Sequence, residues 1–165
     1  MGPGREQPNV EIIRILIVDD HEVVRDGLSV MMERPEDFTV VGEAKNGLEA
    51  VEKARALRPD VVLMDLRMPE MDGVEAMRQI RAEDESIKFI VLTTYDSDEY
   101  IFDAIDAGAK GYLLKDASRE ELFRAVRTVN QGESLIQPGV TSRLLDRLTQ
   151  LSQRGAQGAE YPALS

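Results

Sequence analysis

Five short apolar runs, set at even distances along the chain, constrain the fold more than any other feature: Ile12–Val18, Phe38–Val41, Val61–Met64, Phe89–Leu92 and Gly111–Leu114. Each has the length of a strand and is apolar throughout rather than alternating, the pattern of parallel strands covered on both faces. Between them lie helix-length segments whose apolar residues return every three or four positions. These are Val24, Leu28 and Met31; Ala50, Val51 and Ala54; Val74, Met77 and Ile80; Ile101, Ala104 and Ile105; and Leu122, Ala125, Val126 and Val129. Helix starts are marked by Asp72-Gly73 before the third, Asp96 or Ser97 before the fourth, and Ser118 with Glu121 as a capping box before the fifth. Such a (βα)5 alternation predicts an α/β fold, a doubly wound parallel sheet with right-handed crossovers.

The chain has 165 residues, enough for one such domain and a short extension. We expect a flexible N-terminus over 1–11, the α/β domain over 12–132, and a linker over 133–165. Within the linker, Val140, Leu144, Leu145, Leu148 and Leu151 are spaced for an amphipathic helix at about 139–152. That helix either packs back on the domain or serves as a connector or dimer contact, and the second reading is preferred. Cysteine is absent, which excludes a disulfide scaffold or a cysteine-ligated zinc. No segment is apolar for the roughly 18 to 20 residues that cross a bilayer, so the expectation is a cytoplasmic protein with no membrane partner. A net charge of −11 repels nucleic acid, and DNA contact would need a separate basic module.

In open α/β sheets, ligands gather beyond the carboxyl ends of the strands. The first run ends in Asp19-Asp20, the third in Asp65, the fourth in Thr93-Thr94 and the fifth in Lys115. The second ends in Ala44-Lys45-Asn46-Gly47, without acidic chemistry, which suggests an edge position. In the order 2-1-3-4-5 the first and third strands are neighbours, about 4.8 Å apart, and the three carboxylates can converge. The order 3-2-1-4-5 would separate them by about 10 Å.

Clustered carboxylates raise each other's proton affinity unless a cation intervenes. With oxygen ligands and no His or Cys counted among them, a hard ion such as Mg2+ is favoured. A carboxylate beside that ion can attack a phosphoryl group, with the lysine neutralising the phosphoryl oxygens and the Thr93 hydroxyl donating to one of them. Each residue also has a plain structural explanation. Asp20 could cap a helix, Thr93 could sit in a strand for its β-branch, and Lys115 could be a structural ion-pair partner. Their conjunction at four of the five strand ends is what favours the functional reading.

Those residues fall in motifs that resemble a known family. Leu16-Ile17-Val18-Asp19-Asp20-His21, Val62-Leu63-Met64-Asp65-Leu66-Arg67-Met68-Pro69, Val91-Leu92-Thr93 and Gly111-Tyr112-Leu113-Leu114-Lys115 resemble the receiver domains of two-component response regulators. The resemblance covers about residues 12–132 and implies a flavodoxin-like receiver fold. It implies that Asp65 accepts phosphate from a phosphohistidine on a sensor histidine kinase. It further implies Mg2+ held by Asp20, Asp65 and the Arg67 backbone carbonyl with help from Asp19, a catalytic role for Lys115 and Thr93, and a switch pair of Thr93 and Tyr112. On its own, Tyr112 reads as an ordinary strand aromatic. Catalysis would be confined to the protein's own phosphorylation and dephosphorylation.

Asp20-His21-Glu22-Val23-Val24-Arg25-Asp26-Gly27-Leu28 and Lys115-Asp116-Ala117-Ser118 look like the NarL/FixJ type, whose effector is a LuxR-like helix-turn-helix; a monomer or weak dimer that strengthens to a homodimer on phosphorylation is expected. Ala163-Leu164-Ser165 resembles the opening of that effector, so the expectation is a receiver cut from a longer transcription regulator. Many receivers have proline on a cis bond after this lysine; here the residue is Asp116, which leaves the isomer open.

His21 is expected at the start of the first helix on the rim of the site rather than as a metal ligand. Arg67 and Tyr95 border the pocket, and Met68, Met71 and Met77 are read as packing. Three other functions match the residues less well. A haloacid-dehalogenase-like phosphatase normally carries a second aspartate two residues after its nucleophile, where this chain has Arg67. A receiver-shaped module that does not take phosphate is disfavoured because every site residue is retained. Dinucleotide binding lacks its glycines, since the turn after the first strand reads Asp19-Asp20-His21-Glu22.

Overall fold

The computed structural model describes residues 11–94 and 98–157. The expectations at residues 1–10, Tyr95, Asp96, Ser97 and residues 158–165 lie outside them. Strands β1 (Ile13–Val18), β2 (Phe38–Ala44), β3 (Val61–Asp65), β4 (Lys88–Thr93) and β5 (Gly111–Leu114) alternate with helices α1 (Glu22–Met32), α2 (Gly47–Leu57), α3 (Gly73–Glu83), α4 (Asp98–Asp106) and α5 (Arg119–Asn130). A two-residue strand β6 (Leu135–Ile136) and a long helix α6 (Pro138–Gln157) follow.

The strand order is β2-β1-β3-β4-β5-β6, and every pairing is parallel. The second strand is at an edge, as its polar exit suggested, and β1 lies against β3, which puts Val18 beside Met64. The sixth strand was not anticipated. It extends the sheet past residue 132, and two residues are too few to leave a period in the sequence.

Strand residues alternate between two cores, one on each face of the sheet. Leu16, Val18, Val62, Met64, Phe89, Val91, Tyr112 and Leu114 meet α2, α3, α4 and the first turn of α6 through Ala50, Ala54, Met77, Ile80, Ile101, Ala104 and Val140. Ile13, Ile15, Ile17, Val61, Leu63, Ile90, Leu92 and Leu113 meet α1 and α5 through Leu28, Met32, Leu122, Ala125, Val126 and Val129. The helical periods therefore mark the buried faces well, with one exception: Ile105 is 40% exposed.

Three helices begin on side-chain caps. The Asn46 carboxamide oxygen accepts from the Glu49 amide at 2.8 Å, Asp72 accepts from the Glu75 amide at 2.9 Å, and Ser118 and Glu121 form the expected capping box. Each cap aligns a helix so that the loop before it lies over the carboxyl edge of the sheet. Among the described residues every peptide bond is trans, that between Lys115 and Asp116 included, and no helix is long and apolar enough to cross a membrane.

Candidate functional site

Alternation along the strands sorts the polar ends. Asp19 continues the series Ile13, Ile15, Ile17; Asp65 continues Val61, Leu63; and Lys115 follows Leu113, so all three lean to the face carrying α1 and α5. Thr93 continues Phe89 and Val91 on the opposite face. The consequence is a compact charged cluster with Thr93 beside it rather than within it.

Lys115 Nζ bridges two carboxylates, 3.0 Å from Asp19 Oδ2 and 3.4 Å from Asp65 Oδ1. Its backbone is tied to the next strand, because the Lys115 amide donates to the Thr93 carbonyl at 2.8 Å. Asp19 and Asp65 are 1% and 7% exposed, while Asp20 sits further out. Burial pushes the Asp65 carboxyl up to about 6, with Lys115 pulling the other way and Asp19 and Asp20 adding to the rise. Burial opposes the Lys115 charge, but Asp65 and Asp19 outweigh it and hold the ammonium above its ordinary range.

Further donors to Asp19 come from the turn into α1 and from α1 itself. The His21 amide donates to Asp19 Oδ1 at 2.8 Å, and Arg25 donates to the Asp19 carbonyl at 2.8 Å while its Nε pairs with Glu43 at 3.4 Å. Asp20 Oδ1 is buried and accepts no hydrogen bond. Ligand atoms of Asp19, Asp20, His21 and Asp65 all lie within 4.8 Å of one another. A buried carboxylate oxygen that accepts no hydrogen bond, in such a cluster, fits a divalent cation.

The other expected residues are placed as follows. The Thr93 hydroxyl, 1% exposed, donates to the Thr94 carbonyl at 3.2 Å. Tyr112 is buried in the α2–α3–α4 core, with its hydroxyl donating to the Ala109 carbonyl at 2.6 Å, and burial raises its ionisation well above the usual phenol range. Arg67 is exposed at the start of the loop after β3.

Two further positions support the site. Gly73 opens α3 against β3, and a Cβ there would stand 2.3 Å from the Asp65 carbonyl oxygen, so only glycine permits that approach. Gln137 accepts from the Leu114 amide at 2.6 Å, one residue before Lys115, and gives its own amide to the Tyr112 carbonyl at 2.9 Å. The glycine had a local signal as a helix start; Gln137 had none.

Comparison with known proteins gives one consistent result. The family described as the response regulator receiver domain matches residues 15–127. The transcriptional regulatory protein YdfI of Bacillus subtilis is 49% identical over 131 residues, covering 79% of this chain and 61% of that protein. The response regulator protein VraR of Staphylococcus aureus is 43% identical over 136 residues, covering 82% of this chain and 65% of that protein. The chain thus spans less than two thirds of the length of both relatives. Among solved structures, a LuxR-family two-component response regulator from Aurantimonas sp. SI85-9A1 superimposes with a TM-score of 0.77 at 32% identity, covering 84% of this chain and 99% of that one.

Proposed function

Since the chain belongs to the response regulator receiver family, whose members are phosphorylation-driven signalling switches, we propose that Asp65 is the residue that takes the phosphoryl group. The observation that carries this assignment is the Lys115 ammonium shared between Asp19 and Asp65 at the open end of the sheet. Lys115 engages Asp65 Oδ1, which leaves Oδ2 to attack phosphorus. The new Oδ2–P bond forms as the P–N bond to a donor phosphohistidine breaks, and the donor imidazole leaves with the bonding pair. Lys115 then stands where it can pair with the phosphoryl oxygens.

Asp20 and Asp65, with Asp19 and the Arg67 carbonyl, are the groups we assign to hold Mg2+. That ion, when bound, would offset charge on the transferring phosphoryl group. Asp19 also positions Lys115. We assign the Thr93 hydroxyl to one phosphoryl oxygen, which requires it to leave the Thr94 carbonyl, and Tyr112 to the ring that responds. Hydrolysis of the acyl phosphate by water would reset the switch, so the chain acts on itself rather than turning over an external substrate. A sensor histidine kinase in the cytoplasm is the donor this reading implies. Control of DNA through a further helix-turn-helix segment is the output, in keeping with the transcriptional regulator among the relatives.

Incubation with a small phosphodonor and Mg2+ should add one phosphate to the intact mass, and Asp65→Ala should abolish the addition. Unchanged mass with several donors, or equal labelling of the variant, would sink the assignment; sustained release of phosphate from a phosphomonoester would favour a phosphatase.

A further inference from the structure

The acidic cluster includes a nitrogen donor. His21 Nδ1 lies 3.2 Å from Asp19 Oδ1 and 3.2 Å from Asp20 Oδ1. In an octahedral shell with bonds of about 2.1 Å, adjacent donor atoms stand about 3 Å apart and opposite ones about 4.2 Å. His21 Nδ1 stands at the adjacent-donor spacing from both Asp19 Oδ1 and Asp20 Oδ1, and the ligand atoms of all four residues gather within 4.8 Å.

Contact with the carboxylates is what holds the imidazole, its Nδ1 within hydrogen-bond distance of Asp19 Oδ1 at 3.2 Å. His21 is the N-cap of α1, yet its side chain makes no capping hydrogen bond, and it is 68% exposed. Even so, the ring is turned over the two carboxylates. Its amide bond to Asp19 Oδ1 anchors the backbone within reach. The atom it approaches, Asp20 Oδ1, is the buried oxygen without a hydrogen bond.

We infer that His21 supplies Nδ1 as a ligand to the divalent-cation site and shifts its preference from Mg2+ toward first-row transition ions such as Mn2+ and Co2+. The inference rests on the reading of the cluster as a cation site. Imidazole contributes little to a hard ion that keeps its waters, and progressively more from Mn2+ to Co2+. Ligation through Nδ1 leaves the ring proton on Nε2. An oxygen-only site, the expectation from the sequence, would lack this bias.

The test uses untagged protein without any phosphodonor, so it does not depend on Asp65 chemistry. Mg2+, Mn2+ and Co2+ are titrated calorimetrically into wild type and His21→Ala, with His21→Gln as the second variant should the first not fold. The ratio of Co2+ to Mg2+ affinity should fall about tenfold in the variant, with Mg2+ affinity held within about twofold. The chain has one histidine, so nitrogen-15 histidine labelling isolates its ring. One equivalent of Co2+ should broaden or shift Nδ1 more than Nε2. Mg2+ binding with the same Co2+ to Mg2+ ratio in wild type and variant, or a ring unaffected by Co2+, would overturn the inference and leave the cation site standing. Failure of wild type to bind Mg2+ would overturn both.

Discussion

At Asp65, burial and function pull against each other. The carboxyl is pushed up to about 6 by burial, Lys115 opposes the rise, and Asp19 and Asp20 reinforce it. A carboxyl that holds its proton more tightly when folded favours the fold below its unfolded value near 3.8, and that contribution is lost as pH rises through about 6. Without divalent metal, Asp65→Asn should therefore stabilise the protein at neutral pH by on the order of 2 kcal/mol. The gain should disappear below about pH 4. Urea denaturation in EDTA across that range checks it; no gain at pH 7 would show that Lys115 fully offsets the buried charge, and a gain that persists in acid would show that its source is not the charge. The sequence pointed to the acid at the end of an apolar strand. The size and cause of its perturbation depend on how deeply it is buried and on which groups reach it, and these are distances between strands.

Helix starts and strands were legible because their signals are local. Ser118 and Glu121 lie three residues apart and form their capping box wherever the helix goes. The end of the chain is different. β6 pairs with β5 through Leu135 and Ile136, and Gln137 links this strap to α6 by accepting from the Leu114 amide, donating to Glu121 at 3.3 Å, and receiving the Val140 amide on its carbonyl. Val140 is fully buried and Leu144 packs on the core, whereas Leu145, Leu148 and Leu151 are 58%, 50% and 40% exposed. The start of α6 is rooted on the domain. Gln137→Ala leaves the Leu114 amide without its partner and should cost about 1 to 3 kcal/mol. Hydrogen exchange should rise at Leu114 and in the first turn of α6 while the centre of β1 stays protected. Unaltered exchange at Leu114 would mean that the side chain does not hold the strap.

For the molecule as a whole, the prediction concerns association. A chain with a net charge of −11 repels its own copies at low ionic strength, so self-association needs interface contacts that offset this. Sedimentation velocity in Mg2+ should show mass moving toward a dimer when beryllofluoride is added, and no movement for Asp65→Ala. A mass indifferent to the mimic would count against the switch reading. What the sequence by itself determined was the part encoded at short range: five strands, five helices, the helix starts at Asp72 and Ser118, and acids and a lysine at the exits of particular strands. Tertiary structure decided which of those exits meet. Adjacency of β1 and β3 joined Asp19 to Asp65, side-chain alternation put Lys115 with them and Thr93 on the other face, and the turn into α1 brought His21 over a cluster that looked purely acidic. The reason is physical. Periodicity and capping act over a few residues, whereas burial, ion pairing and ligation depend on separations of 3 to 5 Å between segments far apart in the chain, and only the packed sheet sets those.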